Sequence, residues 1–240
     1  MAAPWRIGID LGGTNIALGL VNSENQIAFR HTILTQATRP AADVLTSIEE
    51  AIRVLLVQAG LNIQDCAFIG VGSTGYVDAE AGMIVYSNNL GWENVPLQAE
   101  LERRLSLPVR VDNDGNCALL GEVVAGAAAG YRHVLLVTLG TGVGGGILVD
   151  GQIYRGAHGA GAEIGHMLLQ QDGARCSCGR RGCAEAYLGS VGFLRRVEAA
   201  RSGLAESSLW NQWELSIPFF FDCVRRGDRL SGELLEEYCH

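Results

Sequence analysis

The chain has 240 residues, 48% hydrophobic and 18% charged, with a formal net charge of −8. That size suits one large domain or two modest ones, and the composition is that of an ordinary globular protein. The acidic balance removes the usual electrostatic basis for nucleic-acid binding, and no apolar run approaches membrane-spanning length or a signal-peptide pattern. All 18 basic residues are Arg. The absence of Lys excludes a Schiff-base lysine, a Walker-type phosphate loop and the protein-kinase lysine.

An apolar strand signal begins near Trp5. From Arg6 to Phe29 the pattern is strand, glycine turn, strand, polar turn, short strand. Pro40 to Ala59 reads as a helix, with Pro near the first turn and Val44, Ile48, Ile52, Leu55 and Leu56 at helical spacing. Ala67 to Gly72 is a short apolar strand. Gly72 to Asp78 and Asn88 to Trp92 are polar turns, and Trp92 reads as a loop anchor in preference to a sugar-stacking ring. Pro96 to Leu105 is a second helix. Val109 to Val111 is a strand that delivers Asp112, Asn113 and Asp114, and Gly115 to Ala129 is a small-residue helix suited to close packing on a sheet. This alternation indicates an α/β fold. Val134 to Tyr154 repeats the first hairpin, with Asp150-Gly151 as a two-residue turn. Phe219 to Arg226 and Leu230 to Tyr238 read as helices, with no strand after them.

Each glycine hairpin can set several N–H groups on one concave side, an anion cradle. Plain tight turns are the alternative, and Thr14 and Thr141 beside the glycines favour phosphate. Asp114 follows the end of a strand, where open α/β sheets place ligands, and is the candidate catalytic base. Asn113 can both donate to and accept from a sugar hydroxyl. An Asn-Asp helix cap is the competing explanation, outweighed once the two loops are considered together. Asp10, ahead of Gly12 and Gly13, fits either a magnesium ligand or a capped turn.

Of seven cysteines, Cys66, Cys117, Cys223 and Cys239 are scattered and read as buried or incidental. Cys176, Cys178 and Cys183 join His166 in H-x9-C-x-C-x4-C, four ligands for tetrahedral zinc. Such a cluster suits a reducing cytosol better than a disulfide framework does. Four protein ligands leave no open position, so the metal is read as structural. Glu163 and Glu185 bracket the cluster. The tight, apolar G-A-G-A-E-I-G-H flank argues against Glu163 being only a surface acid, and Cys183 tethers Glu185.

Four segments together resemble the ROK family of sugar kinases and sugar-responsive repressors. They are D-L-G-G-T-N at Asp10 to Asn15, V-D-N-D-G-N-C-A-L-L-G-E at Val111 to Glu122, L-G-T-G-V-G-G-G at Leu139 to Gly146, and E-I-G-H…C-S-C-G-R-R-G-C-A-E at Glu163 to Glu185. The resemblance implies an actin-like, ribonuclease H-like ATPase fold with two lobes around a cleft. Residues 1–119 would carry the first phosphate loop and the catalytic Asp, and 120–240 the second phosphate loop and the zinc loop. It implies ATP-dependent phosphorylation of a hexose, commonly at the 6-hydroxyl, with Asp114 as general base. Asn88, Asn113, Glu163, His166 and Glu185 would contact the sugar. Asp10, Gly12, Gly13, Thr14, Asn15, Thr141 and Gly142 would hold phosphates with Mg²⁺, while His166, Cys176, Cys178 and Cys183 bind structural Zn²⁺.

The Asn88 to Leu97 stretch is most similar to the glucokinase branch, so glucose is the expected sugar, in a cytoplasmic homodimer. An N-acetylhexosamine kinase or a non-catalytic sugar-binding sensor or regulator are the alternatives. With the first strand starting near residue 5, the repressor branch's N-terminal helix-turn-helix has no room. Two departures stand out. Tyr76 occupies a position where many members have Pro, and the family pattern continues beyond Tyr238. The expectation is therefore an incomplete second lobe and adenosine pocket.

Overall fold

The computed structural model describes residues 5–201 and 206–240. Contacts divide the chain into two compact units: Met1–Leu136 with Gly145–Ala162, and Val137–Gly144 with Glu163–His240.

The first unit opens with β1 (Trp5–Leu11), β2 (Asn15–Val21) and β3 (Ile27–Leu34). Strict alternation buries Ile7, Ile9 and Leu11 of β1 and Ile16, Leu18 and Leu20 of β2. Helix α1 (Ala41–Ala59) buries Val44, Ile48, Ile52, Leu55 and Leu56, the residues picked out by their period, together with Leu45. Pro40 sits just outside it as the N-cap, and Gly60 ends it at φ 67° with its N–H turned back to the Leu56 and Val57 carbonyls.

Next come β4 (Cys66–Ser73), β5 (Tyr76–Asp78), β6 (Met83–Ser87), β7 (Trp92–Val95), α2 (Leu97–Leu105), β8 (Val109–Asn113) and α3 (Asp114–Ala125). The main sheet has five strands in the order β3-β2-β1-β4-β8. The hairpin strands pair antiparallel, whereas β1, β4 and β8 run parallel.

The first segment read as a polar turn ends in β5 and the second runs into β7 at Trp92; with β6, which lies between the two segments, they form a small antiparallel sheet. Three to five residues each, with polar tips, they are too short to show a two-residue period. Trp92 is buried in the core, as an anchor should be. Helix α3 stops at Ala125 rather than Ala129. The Glu122 carboxylate accepts the Ala127 N–H at 2.8 Å, closing the last turn there.

Then follow β9 (Val134–Leu139), β10 (Val143–Val149) and β11 (Gln152–Ile153), a three-stranded sheet in the order β11-β10-β9. Asp150 and Gly151 both have positive φ, 52° and 80°, as a tight two-residue hairpin turn requires.

The second unit contains α4 (Glu185–Leu188), α5 (Ser190–Ala200), α6 (Ile217–Arg225) and α7 (Arg229–Cys239). Helices α6 and α7 lie within two residues of their expected bounds. Helix α5 was not expected, although Phe193, Leu194 and Val197 stand at helical spacing; Phe193 and Val197 form its buried face. These helices enclose a small core of Phe193, Val197, Leu209, Phe220 and Cys223, in which the Phe193 and Phe220 rings meet edge-to-face at 4.7 Å. Among the described residues no helix is long and apolar enough to cross a membrane.

Candidate active-site residues and metal centre

In the first unit, strand register aligns Asp10 of β1 with Gly72 of β4, and Gly72 with Asp112 of β8. The carboxylates of Asp10, Asp112 and Asp114 thus gather at the C-terminal ends of parallel strands. Their roles separate through hydrogen bonding. Asp112 is fully engaged: Oδ1 accepts from the Asn113 N–H and Asn116 Nδ2, and Oδ2 pairs with Arg155. Asn113 is the N-cap of α3. Its Oδ1 accepts the Gly115 and Asn116 N–H groups at 2.9 and 3.3 Å, and its Nδ2 donates to the Gly75 carbonyl at 3.2 Å.

The cap and the candidate base are therefore adjacent residues, not rival accounts of one. Asp114 begins the helix, shares the Gly115 N–H at 2.9 Å and stays open to solvent on one side. Packing around its base raises its carboxyl above the ordinary value, the Asp10 charge adds to this, and the Gly115 N–H partly opposes it. Partial burial raises Asp10 as well.

The first glycine loop is clamped from outside. Gly12 N–H donates to the Asn15 carbonyl at 3.1 Å, and the fully buried Thr35 binds the loop twice. Its hydroxyl donates to the Gly12 carbonyl at 2.6 Å and its N–H to the Thr14 carbonyl at 2.9 Å. A Cβ on Gly13 would stand 2.9 Å from Asn89, so only glycine fits there. Asn89 is in turn fixed by its 3.0 Å hydrogen bond to Thr74 Oγ1. Thr14, Asn15 and Asn88 are exposed. Tyr76 donates its hydroxyl to the His158 carbonyl, pinning the glycine-rich 156–161 segment that precedes Glu163. Thr35, Asn89 and Tyr76 carry no local sequence signal for these roles, because each acts on residues distant in the chain.

In the second unit, one ligand atom each from His166, Cys176, Cys178 and Cys183 lies within 4.8 Å of the others. His166 Nδ1 is 3.7 Å from Cys176 Sγ, and Cys178 Sγ is 3.7 Å from Cys183 Sγ. A tetrahedron with metal–sulfur bonds of about 2.3 Å has edges of roughly 3.8 Å, so the donor set fits a zinc-type ion. The loop is preformed by backbone pairing, Cys176 N–H to the Arg180 carbonyl at 2.9 Å and Ala184 N–H to the Met167 carbonyl at 2.9 Å. Burial pushes the Cys176 thiol up to about 11. Burial also raises Cys178, but hydrogen bonds from the Arg180 backbone and side chain outweigh it and bring that thiol to about 6, favouring a metal-binding thiolate.

The second glycine loop, Leu139 to Val143, belongs to the same unit. Gly140 N–H donates to the Gly142 carbonyl at 3.0 Å, Ser190 N–H to the Gly140 carbonyl at 2.9 Å, and Thr141 is exposed. Glu163 is exposed, and its carbonyl accepts the His166 N–H at 3.1 Å. Glu185 opens α4. Its Oε2 accepts the Val143 N–H at 3.2 Å, while Ser177 Oγ donates to Oε1 at 2.8 Å.

Residues 6–238 match the ROK family, and the chain belongs to it. Its fold is the actin-like ATPase fold of that family. The glucokinase of Halalkalibacterium halodurans is 38% identical over 87% of this chain and 64% of its own length, so the chain spans less than two thirds of that relative. A xylose repressor of Caldicellulosiruptor bescii is 31% identical over 80% of this chain and 48% of its own. A ROK glucokinase of Streptomyces griseus, solved with glucose and AMPPNP, superposes with a TM-score of 0.82 at 32% identity, covering 98% of this chain and 75% of that one.

Proposed function

We propose that the chain carries the catalytic residues of an ATP-dependent hexose kinase, with glucose as the first candidate sugar and Asp114 as general base. One observation supports this above the rest: Asp114 sits at the sheet's C-terminal edge, reachable from solvent and with a raised carboxyl, while Asn113 takes over the capping. A repressor's sugar pocket has no need of a positioned base.

Asp114 accepts the proton of the sugar 6-hydroxyl as that oxygen attacks the γ-phosphorus in line and the bond to the leaving diphosphate breaks. With no Lys in the chain, the N–H groups of Gly13, Thr141 and Gly142 and the Thr14 and Thr141 hydroxyls stabilise phosphate charge, while Gly12, its N–H already turned to the Asn15 carbonyl, shapes the loop. Asp10 and Asn15 hold the water shell of the Mg²⁺ that accompanies ATP. Asn88, the remaining Asn113 N–H, Glu163, His166 and Glu185 meet sugar hydroxyls. Zn²⁺ supplies a brace for residues 166–185 and no catalytic position, its four ligands being protein atoms. A cytoplasmic homodimer is part of the same reading.

A coupled ADP-release assay across glucose, N-acetylglucosamine, N-acetylmannosamine and fructose tests it. Glucose is expected to turn over fastest, and Asp114→Asn to lose roughly 10²–10⁴-fold in kcat. Full activity in Asp114→Asn would remove the base assignment; no sugar-dependent ADP release would remove the kinase reading.

A further inference from the structure

Glu185 makes contacts that a residue serving only a sugar would not need. Its Oε2 accepts the Val143 N–H at 3.2 Å, and a Cβ added at Gly142 would run into the same oxygen. Its Oε1 accepts the Ser177 hydroxyl at 2.8 Å, and Ser177 stands between the metal ligands Cys176 and Cys178. One carboxylate therefore has its two oxygens on two different loops. Within the glycine loop Thr141 is exposed, while the Gly140 N–H donates to the Gly142 carbonyl and the Gly140 carbonyl accepts the Ser190 N–H.

We propose that Glu185 is a positioning residue for the second glycine loop, tying Gly142 and Val143 through Ser177 to the metal-binding loop, so that metal occupancy orders the backbone meant for phosphate. Only the catalytic consequence rests on the kinase reading; the latch lies wholly within the second unit. A bound ion holds Cys176 and Cys178 in place, which fixes Ser177 between them, which fixes Oε1. The opposite oxygen then holds the Val143 N–H in one orientation. The carboxylate fills the space beside Gly142, so any side chain there would have to push it out of its latch.

Hydrogen–deuterium exchange of the backbone amides at residues 139–146 reads the latch directly, with metal content measured on the same samples. Glu185→Ala is expected to speed exchange at Val143 by roughly ten- to a hundredfold, as loss of a charge-assisted hydrogen bond predicts, with the metal retained. Glu185→Gln keeps an oxygen for the Val143 N–H and is expected to restore exchange to near the native rate. Ser177→Ala, at an exposed position that is no metal ligand, leaves Oε1 only the 3.6 Å contact from Cys176 Sγ and is expected to give about a threefold to tenfold increase. Chelation of the native protein should speed the same amides. Native exchange in metal-loaded Glu185→Ala overturns the proposal, as does Glu185→Gln exchanging as fast as Glu185→Ala. If Glu185→Ala does not fold, native exchange in Ser177→Ala overturns it alone. ADP release in the native protein reports separately on the kinase reading, so the two can fail independently.

Discussion

Asn113 and Asp114 show how two adjacent residues divide tasks that either could perform. An Asx side chain before a helix satisfies amide donors left over from the first turn, and Asn113 does so here. Asp114 is then free to face solvent while packing strips water from its base. A carboxyl raised in this way binds its proton more tightly in the folded chain than in the unfolded one. Its contribution to stability is therefore favourable at low pH and turns into a cost as pH rises through its folded pKa. Asp114→Asn is expected to raise the unfolding temperature at pH 7 even as it slows transfer. The gain should disappear as pH falls below the ordinary value of 3.8, where the native carboxyl is protonated in both states. Thermal unfolding of both proteins across pH checks this, and a lowered melting temperature at pH 7 would contradict it.

At the scale of elements, Asp228 works in the opposite sense. It is the N-cap of α7, where Oδ1 accepts the Ser231 N–H and Ser207 Oγ, both at 2.9 Å, and Oδ2 accepts the Ser208 N–H at 2.7 Å. The 208–211 turn and α7 are thereby fastened by one side chain. Burial alone would raise this carboxyl, but the N–H and hydroxyl donors outweigh it and hold it at about 2. A depressed pKa contributes stability that is present above the unfolded value near 3.8 and fades as pH falls through about 2. Asp228→Ala should cost about 1–2 kcal/mol at pH 7 in urea unfolding, with little difference between native and variant near pH 2. An equal loss at both pH values would show that the charge plays no part.

Across the whole molecule, stability is sustained by unlike means. The first unit has a continuous core under its five-stranded sheet. The second has a small aromatic cluster and a loop of residues 167–184 with few apolar contacts of its own. Structural zinc is worth roughly 10–16 kcal/mol in isolated zinc-finger peptides, so an ion held by His166, Cys176, Cys178 and Cys183 would be the principal support available to such a loop. Chelation is expected to open trypsin cleavage at the exposed Arg175, Arg180 and Arg181 at least about tenfold faster, while cleavage within residues 5–136 stays slow. Mass spectrometry of the fragments reads this; equal protection with and without metal would mean the loop stands on its backbone pairing alone.

Legibility from sequence followed distance along the chain. The glycine hairpins, the buried stripe of α1, the Asp150-Gly151 turn and the H-x9-C-x-C-x4-C cluster depend on residues close in sequence, where spacing alone dictates geometry. The β5, β6 and β7 strands are too short to show a two-residue period, helix α5 was not expected although Phe193, Leu194 and Val197 stand at helical spacing, and the strand order depends on which crossovers pair, which no window of residues contains. What the amino-acid sequence by itself determined is the inventory: α/β alternation, two glycine loops, a carboxylate at the start of α3 and a His-Cys quartet spaced for a metal. What only the tertiary structure decided is the division of labour among them. Asp112 is taken up by Asn116 and Arg155, the Asn113 side-chain oxygen by its cap, and Glu185 reaches two loops at once. The reason is physical: each side chain has few hydrogen-bonding sites, and which partners fill them is settled by packing of elements remote in the chain.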